Sequence, residues 1–171
     1  MKLKFLTTAF ALLGLALASN AESLQVGAAA PAVTAPDQNG QPVDLKEVFA
    51  KGPTLVYFYP KADTPGCTKQ ACSIRDEWAD LQKAGIQVIG VSGDKPEAQK
   101  AFQDKYKLPF TLLADSEGKV AEAFGVPFKG GFAKRESFLI KDGKVVWTMP
   151  KASTATHAQD VLKAYETLGK A

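Results

Sequence analysis

The chain has 171 residues, 46% of them hydrophobic and 23% charged, enough to build one globular domain with a full core and unlike a disordered or repetitive polymer. Two cysteines and a single distant histidine are too few, and wrongly spaced, for a zinc-type metal site. The formal net charge of +3 is small, and part of it sits in the first four residues.

Lys2 and Lys4 precede an uncharged apolar run from Phe5 to Ala18, and Ser19-Asn20-Ala21 fits the small-x-small rule of signal cleavage. Residues 1–21 are therefore expected to be a signal peptide cleaved after Ala21, with Ala16-Leu17-Ala18 as a competing site. Residues 22–171 are then an exported domain, with the periplasm as the leading address. An uncleaved anchor fits less well, because about 14 apolar residues fall short of the roughly 20 that span a bilayer. A lipoprotein would need a cysteine near the cleavage site. Loss of Lys2 and Lys4 leaves 19 basic against 18 acidic residues, a net charge of +1. That balance argues against nucleic acid, or a membrane after cleavage, as a partner.

Ala28 to Gly40 is rich in Ala, Pro and Gly and predicts an extended entry segment, with a short strand in 31–37 and a turn at Asn39-Gly40. Asp44 to Ala50 predicts one or two helical turns. Thr54 to Tyr59 is apolar without alternation, which predicts a strand buried on both faces and stopped by Pro60. Pro65 suits the first turn of a helix. From Cys67 to about Lys83, Ala71, Ile74, Trp78 and Leu81 recur at helical spacing, and Gly85 closes the run. Ile86–Ser92 predicts a second buried strand, Pro96–Tyr106 a helix, Phe110–Ala114 a strand and Val120–Phe124 a short helix. Ser137–Ile140 and Lys144–Thr148 predict a hairpin turned at Asp142-Gly143. Thr156 with Gln159 forms a capping-box pattern before a last helix that runs to about Leu168. Strands alternating with helices predict an α/β sandwich, a central mixed sheet flanked by helices, as in a thioredoxin-like fold.

The chemistry gathers at Asp63-Thr64-Pro65-Gly66-Cys67-Thr68-Lys69-Gln70-Ala71-Cys72. Cys67 falls at a helix start, where unpaired N–H groups and the positive dipole end favour a thiolate. A thiolate is the nucleophile that attacks a peroxide oxygen, and its product is a sulfenic acid. Thr64 is placed either to set its hydroxyl beside the sulfur or to cap the helix; the two are compatible. Cys72 is five residues on. On one helix the two Cα atoms are about 8 to 9 Å apart, with side chains roughly 140° apart around the axis. A disulfide needs Cα atoms within about 7 Å, so bridging requires the first turns to unwind. A plain stabilising disulfide is the bland alternative in an exported chain. A thioredoxin-type exchanger is another, although its Cys-x-x-Cys spacing is absent.

The stretch Tyr59-Pro60-Lys61-Ala62-Asp63-Thr64-Pro65-Gly66-Cys67 through Asp76 resembles the active-site segment of the peroxiredoxins, in particular the peroxiredoxin Q or bacterioferritin comigratory protein group. Pro60, Thr64 and Cys67 meet the pattern Pro-x-x-x-Thr/Ser-x-x-Cys, and the likeness extends to Leu113–Ala121 and Arg135–Ile140. The resemblance implies a thioredoxin-like fold and a peroxidase that needs no cofactor or metal. It implies Cys67 as the peroxidatic residue, Thr64 on the thiolate and peroxide, Pro60 as a shield and Arg135 reaching across to the sulfur. It also implies Cys72 as the resolving cysteine on the same helix, a hydroperoxide substrate and a thioredoxin-like reductant. With both cysteines on one helix, a monomer suffices. Read by itself, Arg135 is an arginine before a strand, with Lys134 as the exposed member of the pair.

Two departures stand out: Gln70 occupies a position where the group often has Glu, and the loop Pro127–Phe132 differs from the usual run. Phe128 and Phe132 flank Gly130-Gly131, either as an apolar patch or as loop anchors. Trp78 and Trp147 read as packing residues. His157 reads as a surface or capping residue of the last helix.

Overall fold

The structure, a computed structural model, describes residues 22–169; the signal peptide expected in residues 1–21 lies outside them. The elements follow in the order β1 (Thr34–Pro36), β2 (Pro42–Asp44), α1 (Leu45–Ala50), β3 (Thr54–Phe58), α2 (Pro65–Asp76), α3 (Trp78–Lys83), β4 (Gln87–Ser92) and α4 (Pro96–Tyr106). Then come β5 (Thr111–Ala114), α5 (Lys119–Ala123), β6 (Phe128–Lys129), β7 (Phe132–Ala133), β8 (Ser137–Lys141), β9 (Lys144–Met149) and α6 (His157–Leu168).

The main sheet runs in the order β5-β4-β3-β8-β9, with β3, β4 and β5 parallel and β8 and β9 antiparallel. This is the mixed sheet expected of a thioredoxin-like fold. β3 is central and buried at every residue, which explains its lack of alternation: both faces meet hydrocarbon. Val56 and Phe58 join Leu45 and Phe49 of α1 and Val120, Ala121 and Phe124 near α5. Leu55, Tyr57 and Tyr59 point the other way, to Cys67, Ala71 and Ile74 of α2, Phe102 of α4 and Ala158 and Val161 of α6. Asp142 and Gly143 both have positive φ, 52° and 69°, as the tight turn from β8 to β9 requires.

Four details differ from the sequence-based expectation. The helix predicted across 67–83 breaks at Glu77, whose backbone leaves the helical region (φ −97°, ψ 17°). Its carboxylate there accepts Gln159 Nε2 of α6 at 3.1 Å, and Trp78 packs on Phe110. β1 has an unforeseen partner, β2, across the Asp37–Gln41 turn. The Phe128–Phe132 loop is itself a two-strand hairpin, β6 with β7. The capping box fails: Thr156 makes no side-chain cap, and its hydroxyl donates instead to Asp160. Gln159, the other half of the box, is the residue bound to Glu77.

Two glycines are required by close approach. A Cβ on Gly90 of β4 would stand 2.9 Å from the Tyr57 ring and 2.7 Å from Leu112. One on Gly93 would stand 2.1 Å from the Gly131 carbonyl oxygen. The first leaves room for the Tyr57 ring against β4, and the second seats the β6–β7 hairpin beside the loop that follows β4.

Among the described residues, no helix is long and apolar enough to cross a membrane.

Candidate active site

Chain direction places the site. β3 delivers the backbone to Pro60 at the carboxyl end of the parallel strands, where open α/β sheets keep their ligand crevice. The loop that follows is pinned in two places. The Ala62 N–H donates to Asp94 Oδ2 at 2.7 Å, and Asp94 also receives the Ser92 hydroxyl at 2.7 Å. Asp63 adopts φ 56°, a region costly for a non-glycine residue. Its carboxylate is held there by Lys105 Nζ at 2.7 Å and the Tyr106 hydroxyl at 2.6 Å, both at the end of α4. Those two donors hold Asp63 below the usual carboxylate range. Asp94, Lys105 and Tyr106 did not stand out in the sequence as anchors, because their pairing with Ala62 and Asp63 joins segments more than thirty positions apart.

α2 begins immediately after this loop, with Thr64 at the N-cap position and Pro65 in the first turn. The Thr64 hydroxyl neither caps the helix nor bonds the sulfur; it donates to the Lys61 carbonyl at 3.0 Å. The first-turn amides, which have no partner within the helix, are thus not taken by the Thr64 side chain. Cys67 is in that turn, 2% exposed, in the same buried cluster as Tyr57 and Tyr59 of the sheet. Pro60, half-buried, ends β3. Arg135 comes from just before β8, 68 positions away, and lays its guanidinium over the first turn: Nη2 donates to Cys67 Sγ at 3.2 Å and lies 3.5 Å from where a Gly66 side chain would start. Lys134 turns outward, as expected, and pairs with buried Glu136 at 2.5 Å.

Gln70 and His157 are the surprise of the site. Gln70 is fully buried; its carbonyl accepts Arg135 Nη1, and its amide nitrogen lies 3.1 Å from His157 Nδ1. His157 is also fully buried, not a surface or capping residue, with its ring edge-to-face on Tyr57 at 5.8 Å. Burial pushes the imidazole down to about 4, with Asp160 opposing and Arg135 assisting. It is therefore neutral at ordinary pH. Burial likewise raises both Tyr57 and Tyr59 well above the ordinary phenol range, so both stay protonated. Gln70 was legible as an amide standing in for an acid. Its link to His157, 87 positions on, was not.

Cys72 is half-buried, on the same unbroken helix as Cys67, and both thiols are free. Nearby, Arg75 donates to the Tyr106 carbonyl at 2.9 Å and to Asp76 at 2.7 Å. Asp76 first, and Cys72 in lesser part, raise its pKa. Phe128 is anchored against Gly118 and Gly93, whereas Phe132 is 48% exposed, with Lys61 Nζ 5.9 Å above its ring. The hairpin therefore presents one apolar side chain next to the loop that carries Pro60. Among the described residues no group of three His, Cys, Asp or Glu side chains is arranged to hold a metal.

Cys67 thus lies in a helix first turn with the guanidinium of Arg135, from just before β8, against its sulfur. The family model described as AhpC/TSA family matches residues 26–148. The chain belongs to this family. Within it, the relatives place the chain among the peroxiredoxins of the Q or bacterioferritin comigratory group. Chloroplastic peroxiredoxin Q of Sedum lineare is 43% identical over 146 residues, spanning 83% of this chain and 78% of that one. Peroxidoxin BcpB of Mycobacterium tuberculosis superposes with a TM-score of 0.79 at 32% identity, covering 86% of this chain and 98% of that one. A bacterioferritin comigratory protein of Xanthomonas campestris, solved in work on alkyl peroxide reduction, superposes with a TM-score of 0.76 at 28% identity, covering 84% and 99%. This peroxiredoxin is accordingly a thiol-dependent peroxidase.

Proposed function

We propose that Cys67 is the peroxidatic residue, Arg135 its electrostatic partner and Cys72 the resolving thiol, in a cycle contained in one chain. The observation that carries this reading is the 3.2 Å contact from Arg135 Nη2 to Cys67 Sγ. A guanidinium is charged at every relevant pH and donates only, so it favours the thiolate. It also offers its N–H groups to the peroxide oxygens, on which negative charge grows as the O–O bond breaks.

The thiolate attacks the terminal oxygen of a hydroperoxide. An S–O bond forms, the O–O bond breaks, and the leaving alkoxide or hydroxide takes a proton and departs as alcohol or water. The product is Cys67 sulfenic acid. Cys72 then attacks the Cys67 sulfur; an S–S bond forms, the S–O bond breaks and water leaves. The thiols are five positions apart on one helix, so this second step requires the first turns of α2 to unwind. A dithiol protein of the thioredoxin class then returns two electrons and two protons. Pro60 and the pinned loop would shield the sulfur, and Thr64 would meet the peroxide after its hydroxyl turns from the Lys61 carbonyl. Phe132 beside Lys61 suits the carbon chain of an organic hydroperoxide as well as hydrogen peroxide. The cycle needs no second subunit, and a monomer is the corresponding state.

The Lys2–Ala21 pattern supports export, with a mature chain that begins at Glu22. Intact mass after expression with the leader reads the cleavage directly. A chain that keeps residues 1–21 after export, or never leaves the cytoplasm, would overturn it.

The deciding experiment mixes fully reduced protein with one equivalent of hydrogen peroxide and follows free thiols and intact mass over seconds. Loss of both thiols with a mass decrease of two hydrogens is the expected result. Cys72→Ser should instead stop at sulfenic or higher acid, and Cys67→Ser should not react. Thiols that outlast many minutes in the wild-type protein would sink the reading.

A further inference from the structure

We infer that His157 is a positioning residue for the peroxidase reaction: through Gln70 it fixes the Arg135 guanidinium on the Cys67 sulfur. This rests on the roles proposed above for Cys67 and Arg135.

The hydrogen-bond logic has a single solution. A guanidinium has no acceptor, so the Gln70 atom facing Arg135 Nη1 is the carbonyl oxygen. The amide nitrogen then faces His157 Nδ1 at 3.1 Å, and an amide nitrogen only donates. Nδ1 must therefore be the unprotonated acceptor, and the proton of the neutral ring sits on Nε2. Nε2 is buried and meets no hydrogen-bond partner among the described residues.

The relay is Cys67 Sγ, Arg135, Gln70, His157, drawn from α2, the segment before β8, α2 again and the first residue of α6. Gln70 is one helical turn beyond Cys67, on the same face. An arginine side chain gives up much rotamer freedom when fixed, and here a fully buried amide, itself held by a buried ring, does the fixing. Because the link is an amide, the cation is not neutralised by a carboxylate, and its charge is directed at the sulfur. The groups facing His157 are few: the Gln70 amide from α2, the protonated Tyr57 ring from β3, the Arg135 cation, and Asp160 on its own helix. A protonated imidazole cannot accept from Gln70, so acid opens the relay, and burial delays that opening.

His157 is the only histidine, which makes the test direct in tag-free, reduced protein. Long-range nitrogen–proton NMR should find one neutral ring protonated on Nε2 from pH 7 down to about 5. A ring protonated on Nδ1, or one titrating near 6.5, would overturn the relay. In parallel, the rate of Cys67 oxidation by peroxide is measured from pH 5 to 8 in His157→Phe, His157→Gln and Gln70→Ala. His157→Phe and Gln70→Ala should each slow the reaction about tenfold, below the roughly hundredfold that gross misplacement costs, and move its pH profile upward. Combined, they should slow it no further than either alone, because both break the same chain. His157→Gln, which offers a carbonyl acceptor, should recover most of the rate. Wild-type rates and profiles in folded His157→Phe and Gln70→Ala would refute the proposal. If His157→Phe does not fold, Gln70→Ala and the ring tautomer decide. A wild-type protein inert to peroxide would instead defeat the peroxidase reading, and the tautomer would still judge the hydrogen-bond chain.

Discussion

The two faces of the central sheet are built from alternate residues of the same strands, yet they bury different chemistry. Toward α1 and α5, Leu45, Phe49, Val56, Phe58, Ile89, Phe124 and Phe138 form a core whose side chains carry no polar atom. Toward α2, α4 and α6, the core includes Tyr57, Tyr59 and Cys67, and Gln70, Gln99 and His157 are fully buried in the same layer. Tyr59 donates to Gln99, and Gln99 donates to Ser92 at 2.9 Å and to the Leu113 carbonyl at 2.8 Å. Buried polar groups cost stability unless bonded, so one face holds the fold together while the other spends part of that stability on orienting a sulfur.

If that division is right, truncation on the dry face should lower stability and leave chemistry alone. Phe124→Ala removes a ring packed on Phe58 and Phe138 at 5.3 and 5.2 Å. It should cost about 3–5 kcal/mol in urea unfolding, with an unchanged peroxide rate per folded molecule. A rate loss beyond the unfolded fraction would break the comparison. Arg135→Met is the converse. It keeps an unbranched apolar stem and should slow Cys67 oxidation about 10² to 10³-fold, the usual effect of losing one donor to developing charge, with a small stability change. Stopped-flow oxidation beside thermal melting separates the two.

The wet face should also be the acid-sensitive one. An unfolded imidazole takes a proton near 6.5, whereas buried His157 resists to about 4. Between those values the unfolded state binds more protons, so stability is full above 6.5 and falls as pH drops toward 4. The loss across the window is about 3 kcal/mol. Urea midpoints at pH 7 and 4.5 should differ more in wild type than in His157→Gln, and equal differences would remove His157 as the cause. The smallest effect is expected from Asp94→Ala. It frees the Ala62 N–H and should cost about 1.5 kcal/mol, the low end for a bond to a charged group. The peroxide rate should drop only severalfold, because Asp63 still pins the loop to α4.

Local patterns carried much of this protein in the sequence itself. The uniform apolar run of β3, Pro65 before a helix, the Asp142-Gly143 turn and the placement of Cys67 in a first turn depend on neighbours a few positions away, where backbone sterics and propensity act. The reach of Arg135 entered only by likeness to a family, since an arginine before a strand has no local signature. Tertiary structure alone decided that Glu77 breaks the helix, that Thr156 does not cap α6, and that Asp63 is held at positive φ by α4. It alone brought His157 to Gln70 across 87 positions, because that meeting depends on how α6 docks on α2 over the sheet. A lone histidine near a helix start reads as surface until packing removes the water around it, and burial then sets both its charge and its hydrogen bond.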